Sequence, residues 1–202
     1  MNEGGILNVP PKTKITRDMI VDAALEVIRE GGFRNVNART VAAQLRCSTQ
    51  PVMYHFGTIE SLKRAAYARA DRLHTEYLMN SPPGQDPVLG IGLNYIRFAV
   101  EEPQLFRFLF QSGYAAESNL LDMIDSEELA PVLAAMQAGL GMNMDRTREV
   151  FLTVALFAHG YASIIANNHL EFNETLIAGH LERAWNGAVL AAAKEEDHEK
   201  TL

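Results

Sequence analysis

Apolar residues recur every three or four positions along most of the chain, which is the period of an amphipathic helix. The first stripe comprises Ile20, Ala23, Ala24, Val27 and Ile28. Thr16 is a candidate N-cap for this helix, and Gly31-Gly32 predicts its end, with Phe33 packing back on it. Strand-like alternation is absent from this part of the chain. The pattern predicts an all-α protein of about nine helices.

Residues 37–56 predict two short helices joined by a tight turn. Asn37 is a candidate N-cap for a helix that carries Val41, Ala42 and Leu45 at helical spacing. Ser48 is a candidate N-cap for the next helix, about 49–56, which places Val52 and Phe56 on one face. A short helix with one buried and one polar face, held by a preceding helix, indicates a helix-turn-helix.

A long connecting helix is predicted from about 59 to 79, capped by Thr58, with inward positions at Leu62, Ala66, Ala70 and Leu73. The segment NSPPGQD, residues 80–86, has the composition of a linker. These features divide the chain into a flexible arm (1–14), a helix-turn-helix part with its connector helix (15–80) and a helical C-terminal part (81–202). Lys12 and Lys14 in the arm either reach the DNA backbone or belong to a leader without a role.

The C-terminal part contains the remaining helices. Asp86-Pro87 and Pro103 begin two of them, and two further segments are predicted at 119–125 and 127–139. The eighth and ninth helices, about 146–167 and 174–194, are predicted to be capped by Asp145 and Asn173. Both are apolar beyond a single stripe, so each has two sides to bury. Either they form a four-helix bundle with a second subunit, or they lie centrally in a monomer.

The net charge of −7 divides unevenly along the chain. Residues 12–65 carry nine basic and five acidic residues, whereas residues 66–202 carry nine basic and nineteen acidic ones. A basic segment that coincides with the helix-turn-helix favours a phosphate-bearing partner. An excess of four charges is modest, and ordinary fluctuation is the alternative explanation.

The run from about Thr16 to Ala66 resembles the DNA-binding domain of the TetR family of transcriptional repressors. The matching motifs are DAALEVIREGGF, N-x-R-T-V-A, STQP, YHF and TIESL, in order and at the family's spacing. Within the C-terminal part, two motifs resemble one subgroup of the TetR family: E-x-P-x-L-F-R-x-L-F at 101–110 and His159-Gly160. The subgroup has a Trp-His-Gly-like run, and in this sequence Ala158 stands in place of the Trp. The resemblance implies a homodimer, joined through the eighth and ninth helices, that binds a double-stranded DNA operator.

The residues predicted to bind DNA are Arg39, Thr40, Ser48, Thr49, Gln50, Pro51, Tyr54 and His55. Arginine pairs well with guanine and glutamine with adenine, and proline offers apolar contact to a thymine methyl group. Tyr54 and His55 resemble the family's phosphate contacts, although packing beneath the first helix is an alternative for Tyr54. Two positions depart from the family pattern: Met53 replaces a usual tyrosine and Ile59 a frequent lysine, which removes two phosphate donors.

The C-terminal part is predicted to bind a small apolar or aromatic effector. The candidate ligand-binding residues are Phe98, Phe106, Phe110, Met123, Phe157 and His159. Plain core packing is the alternative for most of them. His159 either makes a satisfied internal hydrogen bond or faces a ligand, and Gly160 is expected to permit close helix approach.

No enzyme motif, cofactor motif or metal-ligand spacing is recognisable, so we expect no catalytic activity, no cofactor and no metal. The single cysteine, Cys47, suits a reducing cytoplasm and is either a packing residue or a redox sensor. The most apolar run, 150–166, is short for a membrane span and predicts a buried helix. The predicted function is a ligand-released repressor; the alternative is a ligand-binding helical protein with weak or lost DNA binding.

Overall fold

The computed structural model describes residues 14–80, 87–114, 124, 129–168 and 170–199, without the side chains of residue 87 and of 195–199. Within these ranges the protein is entirely helical, as predicted. A 3₁₀ turn at Phe33–Asn35 accompanies nine α-helices: α1 Arg17–Gly31, α2 Ala38–Gln44, α3 Thr49–Phe56, α4 Ile59–Met79, α5 Pro87–Glu101, α6 Pro103–Gln111, α7 Ala130–Leu140, α8 Met144–Asn168 and α9 Glu174–Glu199.

The helix ends follow local capping chemistry. Thr16 Oγ1 accepts a hydrogen bond from the Met19 amide at the start of α1, and Asn173 Oδ1 accepts one from Leu176 at the start of α9. Helix α8 differs from the prediction: Asn143, not Asp145, is its cap, because Asn143 Oδ1 accepts from the Arg146 amide. Helix α1 ends before Gly32, whose φ of 82° lies outside the range that L-residues favour.

One continuous apolar core runs from α1 through α4 into α5, α6, α8 and α9. The inward stripe of α4 repeats every four residues as Leu62, Ala66, Ala70, His74 and Leu78. The predicted inward residue Leu73 is only partly buried, and His74 takes that place. Phe33 packs against the core that α1 helps to form, and its ring also stacks on Phe108 of α6 with centroids 5.7 Å apart.

The long C-terminal helices pack side by side, with α8 lying mainly against α5 and α9. By length and composition alone, α8 is apolar enough to cross a membrane, with a mean hydropathy of 1.5 in its most apolar window. A single helix of this kind is weak evidence for a membrane-spanning segment, because core helices of folded proteins can have the same length and composition. Tyr161 of α8 and His180 of α9 are hydrogen-bonded at 2.9 Å, which joins the pair.

The predicted arm (1–14), apart from Lys14, lies outside the described residues, as do the linker residues 81–86 and Met123. The segment predicted at 119–125 is described only at Ile124, whereas most of the segment predicted at 127–139 lies in α7.

Candidate DNA-binding surface and ligand cavity

The start of α2 is fixed by a reciprocal capping box. Asn37 Oδ1 accepts hydrogen bonds from the amides of Arg39 and Thr40 at 2.9 and 3.1 Å, and the Asn37 amide donates to Thr40 Oγ1 at 3.1 Å. The Thr40 hydroxyl is also 2.8 Å from the Asn35 carbonyl. Thr40 therefore positions the helix end that carries Arg39, and its hydroxyl is already occupied by the backbone.

The turn between α2 and α3 is closed by backbone contacts. Arg46 adopts φ 52°, in the left-handed region, and the Cys47 amide donates to the Ala42 carbonyl at 2.9 Å. Ser48 precedes α3 in extended geometry, but its side chain makes no capping hydrogen bond, contrary to the sequence-based expectation. Its hydroxyl is therefore not engaged by the helix end.

Helix α3 presents two chemically different faces. Val52 and Phe56 are buried against the rest of the helix-turn-helix, whereas Thr49 and Gln50 are exposed and Pro51 is partly exposed. Tyr54 is 84% exposed, which rules out the alternative of packing beneath α1. Met53 is 39% exposed, so the residue that departs from the family pattern also lies on the outer side.

The base-reading candidate of α2 is likewise exposed. The Arg39 side chain has no hydrogen bond or ion pair to the part of the chain that the structure describes. An unpaired guanidinium beside a firmly capped helix start is available to bind an acceptor such as guanine or phosphate.

His55 is attached to α1 by its imidazole. His55 Nε2 lies 3.1 Å from the carbonyl oxygen of Ile15, which requires the ring to donate there. The contact ties α3 to the residues just before α1, so only Nδ1 of His55 is left to meet a phosphate.

A cavity of about 500 Å³ lies in the C-terminal part between α4, α5, α6 and α8. Its lining is mostly apolar and aromatic, as is usual for small-molecule sites. The polar residues of the lining are Tyr67, Asp71, His74 and Thr75 of α4, Tyr95 of α5 and His159 of α8. A second cavity of about 270 Å³ lies near Trp185 and Leu181 of α9.

His74 is the least satisfied polar side chain at the larger cavity. The residue is 6% exposed, and its Nε2 has no hydrogen-bond partner among the described residues. The rings of Tyr95, Phe98 and Phe110 meet the imidazole edge-on, with centroids 4.9–5.4 Å away. Burial lowers the pKa of His74 to about 4, so the imidazole is neutral at physiological pH.

His159 is held by a phenol. The Tyr95 hydroxyl and His159 Nδ1 are 2.8 Å apart, and the Phe106 ring stacks on the imidazole at 5.8 Å. Burial lowers the pKa of His159 and raises that of Tyr95, so both groups remain neutral. His159 thus makes the expected internal hydrogen bond and also lines the cavity.

The six predicted ligand residues fall into different places. Phe110 and His159 line the larger cavity, whereas Phe98 and Phe106 are buried behind it and contact the two histidines. Phe157 lies on the opposite side of α8, 36% exposed, because neighbouring helix positions differ by about 100° and Ala158 and His159 take the inner side. Met123 is outside the described residues.

Sequence reasoning missed His74 as a cavity residue. The available signal was the spacing of four in α4, which continues from Leu62, Ala66 and Ala70 to position 74. Tyr95 is not among the predicted ligand-binding residues, because no sequence pattern predicts its contact with His159 across sixty-four positions.

The outer sides of α8 and α9 expose apolar residues at helical spacing. On α8 these are Phe157 and Ile164, the latter 55% exposed, and on α9 they are Leu176 and Leu190. A side chain at Gly160 would meet no atom within 4 Å, so this glycine does not serve close approach within the subunit.

Helix α6 connects the cavity with the DNA-binding helices. Phe110 faces the cavity, while Phe108 stacks on Phe33 and Glu102 accepts two hydrogen bonds of 3.0 Å from Arg29 of α1. A displacement of α6 would therefore act directly on the contacts that α6 makes with α1.

No group of three or more His, Cys, Asp or Glu side chains is placed to hold a metal ion in the described part of the chain.

Two family models match the chain in order. Residues 20–66 match the bacterial regulatory proteins of the tetR family, and residues 88–187 match the tetracyclin repressor-like C-terminal domain. No curated protein matches the sequence.

Solved structures share the fold at low sequence identity. A tetR-family transcriptional regulator from Streptomyces coelicolor is similar with a TM-score of 0.68 and 18% identity over 91% of this chain and 83% of its own. The multidrug binding protein EbrR complexed with imidazole is similar with a TM-score of 0.53 and 19% identity, over 87% of this chain and 96% of its own. The structure of the same protein complexed with ethidium has a TM-score of 0.50 and 21% identity, over 83% of this chain and 96% of its own. Such identities establish the fold alone.

The two family models together cover most of the chain, and they match the helix-turn-helix and the helical body just described. The chain belongs to the TetR family of DNA-binding transcriptional regulators.

Proposed function

We propose that this protein is a homodimeric repressor that reads a palindromic operator and is released from it by a small molecule. The observation that carries the proposal is the surface of the helix-turn-helix. Arg39, Thr49 and Gln50 are exposed on two helices whose opposite faces are buried, and the start of α2 is fixed by a capping box. Such rigid presentation of base-pairing side chains suits the major groove.

We assign the roles within this surface as follows. Arg39 and Gln50 read bases, Thr49 and Pro51 contact bases or backbone, and Ser48 and Tyr54 donate to phosphate. Thr40 and His55 act by holding α2 and α3 in place, since their side chains bond to Asn35 and Ile15. The DNA-binding unit then comprises residues 15–80 and the effector and dimer unit residues 81–202.

The dimer is proposed to form through α8 and α9. Their exposed apolar residues follow one side of each helix, and burying them against a symmetry mate gives a four-helix bundle. Two copies of α3 in a fixed arrangement are what a palindromic site requires. Because the partner is chromosomal DNA, we infer a cytoplasmic location.

Release is proposed to act through α6. A ligand in the larger cavity touches Phe110 on one side of α6, while Glu102 and Phe108 on the other side hold α1. The ligand must bind more tightly to the arrangement that fits DNA poorly, because only differential affinity shifts the equilibrium.

The proposal is tested by fluorescence anisotropy with DNA from the protein's own promoter region at low and moderate salt. Wild-type protein is expected to bind a specific fragment, and the Arg39→Ala/Gln50→Ala double variant is expected to lose most of that preference, because each base contact contributes about 1–3 kcal/mol of discrimination. Equal binding by both proteins would contradict it. A matched control is Arg34→Ala, an exposed arginine of the 3₁₀ turn, which should leave sequence preference unchanged.

The second candidate is a ligand-binding protein with weak DNA binding. It is favoured by the exposed Met53, which puts a thioether where the family usually has a phosphate-binding hydroxyl. Tight ligand binding without sequence-selective DNA binding would establish this alternative.

A further inference from the structure

One residue in the wall of the larger cavity, His74, has a buried ring nitrogen that the described residues leave unsatisfied. His74 Nε2 is buried and has no partner among the described residues, although His74 is part of the cavity wall. Buried polar atoms are nearly always paired, and an unpaired one costs about 1–3 kcal/mol. A protein that retains such an atom beside a cavity has a use for it there.

The other polar pair at the cavity is already satisfied. The Tyr95 hydroxyl and His159 Nδ1 bind each other at 2.8 Å, so neither needs a ligand for that contact. His74 is therefore the point at which an incoming molecule gains the most from a hydrogen bond. The rings of Tyr95 and Phe110, which line the cavity and contact His74, favour an aromatic body for that molecule.

The charges at the cavity restrict the ligand further. Asp71 supplies the only formally charged side chain of the described lining, and it is negative. Both lining histidines are neutral at pH 7, because burial lowers their pKa values. A carboxylate or phosphate would therefore enter a largely apolar lining that, among the described residues, offers it no cation.

We infer that the effector is a neutral or cationic aromatic molecule whose hydroxyl or amine hydrogen-bonds to the His74 imidazole, and that aromatic acids are excluded. The inference rests on the proposed function in taking this cavity as the effector site, and it adds the anchoring side chain and the chemical class. A hydroxyl suits either tautomer of the imidazole, because it can both donate and accept. An ammonium suits the tautomer in which Nε2 accepts.

Four naphthalenes of nearly equal size test the inference by calorimetric titration of the full-length protein at pH 7.5. They are naphthalene, 2-naphthol, 2-naphthylmethylammonium and 2-naphthoate. We expect 2-naphthol to bind about tenfold more tightly than naphthalene, as one hydrogen bond to a buried unpaired atom allows. The ammonium should also bind more tightly than naphthalene, and 2-naphthoate about tenfold more weakly.

The His74→Phe variant keeps an aromatic ring but removes the nitrogen. It should bind naphthalene and 2-naphthol equally, whereas His180→Phe, which changes a histidine that does not line the cavity, should keep the wild-type preference. If His74→Phe does not fold, ¹⁵N-histidine NMR of the wild type replaces it, and 2-naphthol should shift the His74 resonance more than naphthalene does.

The inference is overturned if 2-naphthoate binds most tightly, if the preference for 2-naphthol survives in His74→Phe, or if none of the four compounds binds. In the NMR experiment, equal shifts with naphthalene and 2-naphthol overturn it. Its failure is separable from failure of the regulator proposal. If the compounds bind as expected but do not change the affinity for DNA, the proposal of ligand release is contradicted. If the protein binds DNA but none of the four compounds, only the inference about the cavity is contradicted.

Discussion

The guanidinium of Arg29 in α1 contacts both carboxylate oxygens of Glu102 at the start of α6, with Nε 3.0 Å from each. Both side chains are about one third exposed or less, so the pair is shielded from much of the solvent. It joins a helix of the DNA-binding part to a helix whose other side borders the ligand cavity. We therefore regard it as one polar connection between the proposed DNA-binding and effector-binding parts.

A double-mutant cycle measures this connection. With Arg29→Met and Glu102→Gln, we expect a coupling energy of about 1 kcal/mol in urea unfolding at fixed protein concentration, because partly shielded, charge-assisted hydrogen bonds exceed surface pairs. The exposed Arg64–Glu60 pair, 3.7 Å apart, is the control and should give nearly zero. Equal coupling in the two pairs would show that Arg29 and Glu102 do not connect the helices energetically.

Acid should destabilise the protein through His74. The native pKa is about 4 and the ordinary value is 6.5, so between these pH values the unfolded chain takes up a proton that the native state does not. As the pH is lowered from 6.5 towards 4, the free energy of unfolding should fall, with a contribution of about 3 kcal/mol from His74. Above pH 6.5, His74 should not affect the pH dependence of stability.

The His74→Phe variant isolates that contribution, because it removes the titrating group and keeps a ring in its place. Urea unfolding at pH 7.5 and pH 5 should show a smaller loss of stability for the variant than for the wild type. His159, whose pKa is also lowered by burial, should leave a residual loss of the same sign. Identical losses in both proteins would mean that His74 is protonated in the native state at pH 5.

A charge on the outer side of α8 should dissociate the dimer. Ile164→Lys changes a residue that is 55% exposed in the subunit, so the folded subunit should tolerate it, whereas a dimer interface would bury an unpaired ammonium. Sedimentation velocity should give a monomer for Ile164→Lys and a dimer for the wild type. Leu170→Lys, at a position 52% exposed between α8 and α9, should stay dimeric, and a dimeric Ile164→Lys would place the interface elsewhere.

Restoring the missing hydroxyl on α3 should strengthen DNA binding. Met53→Tyr places a phenol at an exposed position where the family usually has one, and the new phosphate contact should raise affinity without changing sequence preference. A neutral hydroxyl releases no counterion, so the slope of log K against log salt should stay the same. Met53→Phe is the control, since any gain it shares with Met53→Tyr comes from the ring and not from the hydroxyl.

Sequence pattern predicts much of this protein because the relevant forces are local. The caps at Thr16, Asn37 and Asn173 form as expected, since a side chain needs only to reach an amide two or three residues away. The prediction of Asp145 as the cap of α8 was wrong, because α8 begins earlier and Asn143 accepts the hydrogen bond from the Arg146 amide.

The cavity was less predictable because its geometry depends on contacts between distant segments. The aromatic content of the C-terminal part indicates an apolar site, but it does not distinguish the lining residue Phe110 from the buried Phe106 or the outward Phe157. The predicted stripe of α4 placed Leu73 inward, one residue before His74. The sequence pattern therefore did not identify His74 as a cavity residue.

The central claim, sequence-selective DNA binding by a dimer, is tested most directly by selecting bound fragments from sheared genomic DNA of the organism that encodes the protein. Wild-type protein should enrich fragments that share an inverted repeat, with half-sites separated by about one helical turn or a multiple of it. The Arg39→Ala/Gln50→Ala variant should enrich no common sequence. A wild-type selection without a shared motif, or one whose motif persists in the variant, would contradict this account.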